Sequence, residues 1–350
     1  MTSPPHSSGR PVGWGLIGCG WLGRAYAAPA ITASGNGRLV AACDRDSTAR
    51  DSVVAEFKTA DLATLLARPD VDAVYVATPN SSHRAIVEAA ANAGRHVLCE
   101  KPMATSAADA ETMAAACGEA GVLYATAFDQ RWHPAHVAIR RKIAGGDLGV
   151  VTQVLIRYAC WTPSDWSPGD WPHDNWRVDP GRAGGGAMID LAPHGLDLLQ
   201  TLLGEPIDDL ACLMQRKVFD YPVDDGAALI GRSRGGTLLT LSVAYNCPDN
   251  FPRRRLEIVG TAGRILAENT MGQTPGGQAT FTDARGATSP VEFDETASPF
   301  VAQVRAFADA VQGRSVWPYS VQQDLRTMRL LDAATAQGRP TLAAEPVGAA

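Results

Sequence analysis

Between residue 12 and about residue 127, short continuous apolar runs alternate with longer stretches in which apolar positions return every three to four residues. The runs VGWGLIG (12–18), RLVAACD (38–44), VDAVYVAT (71–78), HVLCE (96–100) and VLYATAF (122–128) read as strands buried on both faces. DLATLLA (61–67), SHRAIVEAAANAG (82–94) and SAADAETMAAACGEAG (106–121) read as the helices between them, two closing on glycine. Such alternation predicts an α/β unit, a doubly wound parallel sheet with helices on both faces. After a helix in PAHVAIRRKIAGGDLG (134–149) the period changes to two. VVTQVLIRYA, DDLACLMQRKV, GAALIGRS, GTLLTLSVAY, RRLEIVG and GRILAE follow one another across short turns. Long helical patterns interrupt them only at about 187–203 and 298–337, the second broken near Pro318. This half predicts an α+β domain with a large, mainly antiparallel open sheet. The expected organisation is a polar, Pro-rich disordered tail at 1–10, a first domain at 11–131 and a second at 132–343.

Composition narrows the classes. At 45% hydrophobic and 19% charged residues the 350-residue chain reads as a soluble globular protein of two domains. A formal charge of −6 with no basic run argues against nucleic acid. No uncharged apolar run approaches the roughly 20 residues of a membrane span, and the N-terminus lacks a signal-like apolar core. The seven scattered cysteines form no C-x-x-C pair and several sit in apolar runs, so they read as small buried residues in a reducing, cytoplasmic compartment.

The first chemical signal is GLIGCGWLGRAYA, which sets Gly18, Gly20 and Gly23 in G-x-G-x-x-G spacing between a strand and a helix. The first glycine permits a tight turn, the second admits a pyrophosphate to the backbone, and the third lets helix and strand pack closely. Gly18, Cys19, Gly20, Trp21, Leu22 and Gly23 are therefore expected to cradle a dinucleotide at a helix N-terminus. Asp44 ends the next strand 21 residues after Gly23, where a carboxylate meets the ribose 2′-hydroxyl of NAD. Arg45 follows it, and a guanidinium there also suits the 2′-phosphate of NADP. Both cofactors stay open, NAD first.

Two more turns stand at carboxyl ends of strands, the ligand face of such sheets. One is Thr78-Pro79-Asn80 with His83 close behind, although Asn80 or Ser81 also reads as a helix cap. The other is Glu100-Lys101-Pro102. The chain has four lysines, Lys58, Lys101, Lys142 and Lys217. One at the mouth of a buried sheet is costly unless it has a partner or a task. A solvated pair with Glu100 is the plainer reading; a cis bond before Pro102 would aim the side chain.

The second half carries RAGGGAMIDLAPHGLDLLQTLLG (182–204), in which Asp190, His194 and Asp197 recur at i, i+4 and i+7 on one helical stripe. A metal needs three or four converging ligands, and no nearby cysteine or second histidine completes such a set, so none is expected. Oxidation of an alcohol needs a base for the hydroxyl proton, and histidine titrates in the right range. A lysine ammonium can stabilise the developing alkoxide, and a carboxylate can hold hydroxyls or orient the histidine. Asp197, a turn further on, reads as a structural partner. The glycines would let the backbone approach cofactor and substrate. Pro193 predicts either a kink or a helix that properly begins there.

Ahead of this helix, Trp161, Trp166, Trp171 and Trp176 recur every five residues, half of the eight tryptophans. That spacing fits neither a helix face nor a strand face, so the segment reads as a loop. Its rings would stack on sugar faces or, equally, anchor the loop or an oligomer contact.

Taken together, G-x-G-x-x-G near the N-terminus, TPN, EKP and GGG-x3-Asp-x3-His-x2-Asp resemble the glucose–fructose oxidoreductase/inositol dehydrogenase (Gfo/Idh/MocA) family, over residues 12 to about 340. The resemblance implies a Rossmann domain, then a domain whose open sheet often serves as an oligomer interface, here a homodimer or homotetramer. It implies nicotinamide-dependent hydride transfer at a hydroxyl-bearing ring carbon of a sugar, glycoside or cyclitol. It carries over Lys101, Asp190 and His194 as the catalytic set, with Asp190 positioning substrate and His194. The cofactor set expected is Gly18 to Gly23, Asp44, Arg45, Thr78, Pro79, Asn80, His83, Glu100 and Lys101. The substrate set expected is Lys101, Arg131, Trp166, Trp176, Arg177, Asp190 and His194. The pattern departs at Ala192, where a glycine often stands. A ketosugar reductase, a redox-neutral enzyme recycling bound NAD(P), and a non-catalytic sugar-sensing regulator remain the alternatives.

Overall fold

The computed structural model describes residues 9–168 and 175–338. Residues 1–8 of the expected tail, Trp171 and residues 339–343 lie outside the described residues. Arg10, assigned to that tail, is held by a 2.6 Å ion pair to Asp72.

The first sheet contains β1 (Val12–Ile17), β2 (Gly37–Cys43), β3 (Phe57–Thr59), β4 (Ala73–Val76), β5 (His96–Cys99) and β6 (Tyr124–Thr126). All pairs are parallel, in the order β3-β2-β1-β4-β5-β6. The order reverses between β1 and β4, the switch point at which doubly wound sheets bind ligands. The sequence pattern placed every one of these strands except β3, whose three residues Phe57–Thr59 lie in no apolar run, whereas the equally short β6 sits inside VLYATAF. Apolar side chains of alternate parity go to opposite faces: Trp14 and Leu16 of β1 join one core, and Ile17 joins the other. Helices α1 (Ala28–Ala33), α2 (Ser47–Asp51), α3 (Leu62–Leu66), α4 (His83–Asn92) and α5 (Ala107–Ala120) connect the strands.

The second sheet has eight strands: β7 (Val151–Ala159), β8 (Ile207–Gln215), β9 (Gly226–Ser233), β10 (Leu238–Ala244), β11 (Arg254–Gly260), β12 (Gly263–Glu268), β13 (Gln278–Asp283) and β14 (Thr288–Pro290). Their order is β14-β13-β12-β11-β7-β10-β9-β8. Neighbours are antiparallel except β7 and β10, a parallel pair at the centre, so the sheet is mixed. Helices α6 (Pro134–Ala144), α7 (Pro180–Ala183), α8 (Ala187–Leu203), α9 (Pro299–Val311) and α10 (Val321–Gly338) are the remaining α-helices of the described residues.

Helix α8 lies on the inner face of this sheet. Gly195 marks the close approach, since a Cβ there would meet Leu241 at 2.6 Å. The helix runs through Pro193 from Ala187 to Leu203, so it does not begin at the proline and the i, i+4, i+7 stripe is intact. Its own N-cap, Gly186, has no side chain to offer; the buried Asp224 replaces it. The Asp224 carboxylate accepts from the amides of Gly186 (2.9 Å) and Met188 (2.7 Å), and its carbonyl accepts from Ala187 (3.1 Å).

The contiguous split at residue 131 does not describe the packing. Helix α9, assigned by sequence to the second domain, returns to the first and packs Phe300, Val304 and Phe307 into the core that holds Trp14 and Ile31. An amphipathic pattern shows that a helix has an apolar face but not which sheet it covers.

Candidate active site

A cleft of about 590 Å³ opens at the switch point and continues toward the start of α8. Its first half is built by the turn after β1. Gly18 takes φ +92°, and a Cβ on it would meet the Ala77 carbonyl at 2.6 Å. A Cβ on Gly23 would lie 2.1 Å from the Gly18 carbonyl, so the third glycine serves close packing and does not line the cleft. Gly20 does line it, and a Cβ there would meet nothing within 4 Å. Open backbone at the start of a helix is the cradle a pyrophosphate requires, so the residues present fit a dinucleotide.

Asp44 and Arg45 stand at one edge. The Asp44 carboxylate is oriented by two amides, Cys19 on Oδ2 (2.7 Å) and Asp46 on Oδ1 (2.9 Å). Each oxygen keeps a lone pair for a ribose hydroxyl. Cys19 is fully buried and contributes through this amide. Trp21, Leu22, Thr78, Pro79, Asn80, Glu100 and Lys101 line the same cleft.

His83 does not line it. It is buried beneath the two turns, with Nε2 2.9 Å from the Thr78 carbonyl and Nδ1 3.1 Å from that of Pro102. It lies between the two turns: burial favours the neutral ring, whose single N–H can donate to one of these carbonyls while the other nitrogen lies against the second. Asn80 does not cap α4; its amide donates to the Ala183 carbonyl (2.8 Å) and docks the turn on α7. The Lys101–Pro102 peptide is cis. Glu100 is not the ion-pair partner of Lys101, whose ammonium is held by Asp190. It accepts from the Tyr75 hydroxyl (2.7 Å), and burial pushes its carboxyl up to about 7 despite that bond.

The far half of the cleft holds Lys101 and Asp190. The lysine ammonium donates to Asp190 Oδ1 (2.6 Å) and to the Asp190 carbonyl (3.0 Å). Tyr245, at the end of β10, donates its hydroxyl to Oδ2 (2.8 Å), and Arg177 Nε lies 3.9 Å from the same oxygen. Burial alone would raise the Asp190 carboxyl. The charges of Lys101 and Arg177, with the bonds from Lys101 and Tyr245, outweigh it and hold the group well below the usual carboxylate range.

His194, one turn along α8, does not line the main cleft and is 3% exposed. Its ring meets Tyr158 edge to face, centroids 5.4 Å apart. The carboxylate beside it is not Asp190. It is Asp129, whose Oδ1 lies 3.2 Å from His194 Nδ1. Asp190 is committed to Lys101 and Tyr245, so the expectation that it orients His194 is corrected. Asp197 does act as a structural partner, to Arg131. That pairing corrects the placement of Arg131 in the substrate set. Its guanidinium has no exposure, lies between Asp197 and Asp324, and stays outside the cleft.

The glycine triplet is explained by protein packing. Gly184 ends α7 at φ +86° against Thr105, and a Cβ on Gly186 would lie 2.0 Å from the Asp224 carbonyl. Neither close approach is to the cleft, contrary to the role expected of these glycines.

The tryptophan loop divides. Trp166 and Trp176 line the cleft with Trp21. The Arg177 guanidinium sits over the faces of Trp176 (4.7 Å), Trp166 (5.1 Å) and Trp21 (6.0 Å). Trp161 points elsewhere and packs on Phe219, centroids 4.9 Å apart.

Sequence reasoning missed Asp129, Tyr158 and Tyr245. Asp129 had a usable signal. It follows β6 as Thr78 follows β4 and Glu100 follows β5, at the carboxyl end of a parallel strand. The tyrosines had none, because β-strand alternation does not tell which inward ring faces a ligand.

A parallel sheet with a glycine cradle at its switch point, and a lysine–carboxylate pair at the far end of the same cleft, define a nicotinamide-nucleotide oxidoreductase. Residues 12–128 match the description "Oxidoreductase family, NAD-binding Rossmann fold", and residues 136–266 match the Gfo/Idh/MocA C-terminal domain. The chain belongs to the Gfo/Idh/MocA oxidoreductase family. It is 33% identical over 309 residues to 1,5-anhydro-D-fructose reductase of Ensifer adhaerens, covering 86% of this chain and 88% of that one. It is 27% identical over 266 residues to inositol 2-dehydrogenase of Rhizobium meliloti, covering 74% and 76%. Its fold is that of levoglucosan dehydrogenase in complex with NADH and levoglucosan (TM-score 0.81, 21% identity, 94% and 97% covered). Its curated relatives thus include sugar and cyclitol dehydrogenases and reductases. Among the described residues no helix is long and apolar enough to cross a membrane.

Proposed function

We propose that the protein transfers a hydride between NAD and a hydroxyl-bearing ring carbon of a sugar, sugar glycoside or cyclitol. The observation that carries this reading is the Lys101–Asp190–Tyr245 network at the end of the cleft that begins at Gly20. An ammonium has three donors, and Asp190 occupies two, leaving one for the reacting oxygen. The nicotinamide, when bound, accepts or supplies the hydride. Lys101 stabilises negative charge on the substrate oxygen, and His194 takes the hydroxyl proton. Asp190 holds Lys101 in place and adds a carboxylate beside the substrate. Trp166 and Trp176 offer the apolar surface not covered by Arg177 to a sugar ring, and Arg177 offers donors to its hydroxyls. Gly18, Gly20, Trp21, Leu22, Thr78, Pro79, Asn80 and Glu100 hold the dinucleotide, with Asp44 on its ribose.

Purified protein with NAD or NADP, screened against sugars, inositols and glycosides by absorbance of the reduced nicotinamide, tests the reading. Nicotinamide reduction with a cyclic polyol supports it; cofactor binding without turnover of any substrate in either direction favours the regulator instead.

The outer face of the second sheet exposes Leu213 on β8, Ile230 on β9 and Leu238 on β10. A homodimer or homotetramer that covers these residues fits that face, and light scattering on the purified protein would detect it. The free cysteines suit a reducing, cytoplasmic setting.

A further inference from the structure

We infer that Asp129 is a positioning residue for this reaction, holding His194 in the tautomer that carries its proton on Nδ1 and so leaving Nε2 to receive the substrate proton. The inference rests on the function proposed above. Asp129 opens the short turn Asp129–Trp132 after β6, in the first domain, whereas His194 stands on α8 of the second. Asp129 Oδ1 and His194 Nδ1 are both sealed from solvent and 3.2 Å apart, and among the described residues neither has another polar partner in reach. The ring N–H lies off the line of a full hydrogen bond, as catalytic contacts often do before substrate closes the site.

For a neutral imidazole beside an ionised carboxylate, one arrangement suits this pair in a dry site. A neutral imidazole carries one N–H, and turning the bare Nδ1 lone pair toward a carboxylate oxygen would set two electron pairs against each other. With the proton on Nδ1 the contact is attractive, and Nε2, on the opposite edge of the ring, holds the lone pair. When the alcohol is oxidised its C–H bond breaks and that pair leaves as the hydride the nicotinamide would accept when bound; its O–H bond breaks, that pair becomes the second bond of the carbonyl, and the proton forms the Nε2–H bond.

Asp129 is itself held. Its Oδ2 accepts from the Gln130 side-chain amide (2.8 Å), which also donates to the Gly272 carbonyl (3.1 Å). Burial works against an ionised Asp129, and His194, Lys101 and Gln130 outweigh it, so the carboxyl lies below its ordinary range. The Tyr158 ring, set at 72° to the imidazole, limits its rotation. The two carboxylates thus divide the work: Asp190 serves Lys101, and Asp129 serves His194.

Long-range proton–nitrogen correlation of protein labelled at histidine nitrogen, without substrate and with the ring in its neutral form, tests this without any assay of turnover. The expected wild-type form is Nδ1–H, and Asp129→Leu should move His194 toward the Nε2–H form that free imidazole favours. A wild-type Nε2–H signal, or an unchanged tautomer in the variant, overturns the inference. Should Asp129→Leu not fold, Asp129→Asn carries a kinetic test on the best polyol from the screen. It should lower kcat by about 10–10²-fold. Polyol KM and NADH affinity should change by less than about threefold, and the same substitution should cost nothing further in a His194→Ala background. An equal loss in that background overturns the inference. Turnover of no polyol by wild type would remove the proposed function instead, and the tautomer measurement would still stand.

Discussion

At the scale of single residues, the site separates groups that bear charge in the reaction from groups that hold them. Lys101→Met keeps the bulk and removes the ammonium, so kcat/KM should fall by about 10²–10³-fold while NADH affinity, set mainly at the glycine turn and Asp44, changes little. Comparable loss of NADH binding would mean that Lys101 belongs to the cofactor site alone. Asp44, fixed by the Cys19 and Asp46 amides, cannot turn away from a 2′-phosphate, so NAD should bind more tightly than NADP. Titration of both decides this, and tighter NADP binding would assign the edge to Arg45. Glu100 makes a pH prediction. Its carboxyl rises from an ordinary 4.5 to about 7 in the folded protein, so the folded state holds that proton more firmly than the unfolded chain. The stability this contributes is present below the ordinary value and lost as pH rises through 7. Tm of the wild type should therefore decline relative to Glu100→Gln across that window, and parallel Tm curves would refute the assignment.

At the scale of elements, α8 carries the chemistry and is anchored from outside itself. Its sequence shows a glycine triplet and an amphipathic stripe but no cap, because the cap, Asp224, lies 38 residues from Gly186. Asp224→Ala would leave two buried amides without partners, a loss of about 1–3 kcal/mol each at the upper bound. Urea unfolding should show a fall of that order, with kcat reduced because the first turn of α8 also carries Asp190. An unchanged midpoint would show that water replaces the carboxylate. The stripe itself was legible: the i, i+4, i+7 spacing of Asp190, His194 and Asp197 survives Pro193, because the helix continues on both sides of the one backbone bond the proline removes. Which partner each of the three meets was not legible, because Lys101, Asp129 and Arg131 arrive from other elements.

For the whole molecule, the decisive contacts cross the boundary that sequence composition drew. Arg131 of the first domain binds Asp197 of α8 and Asp324 of α10, all three buried. Removing the cation by Arg131→Met would leave two carboxylates enclosed without a counter-charge, which typically costs about 3–5 kcal/mol. The expected outcome is a large loss of stability with polyol KM little changed in protein that remains folded at low temperature. A selective rise in KM would restore Arg131 to the substrate site. Helix α9 likewise closes the first core with Phe300 and Phe307, so truncation before residue 299 should expose Trp14 and its neighbours.

Local pattern alone determined the two architectures, the glycine cradle, the acidic residue on the second strand, the EKP lysine and the stripe of α8. Each is a matter of side-chain period or of residues adjacent in sequence, where backbone geometry places them without reference to the rest of the chain. Tertiary structure alone decided that Asp190 answers Lys101, that Asp129 answers His194, that Arg131 is a buried anchor and that α9 belongs to the first core. These pairings join segments tens to hundreds of residues apart. An ionisable side chain withdrawn from water takes whichever opposite charge packing brings within reach, and sequence spacing carries no record of that distance.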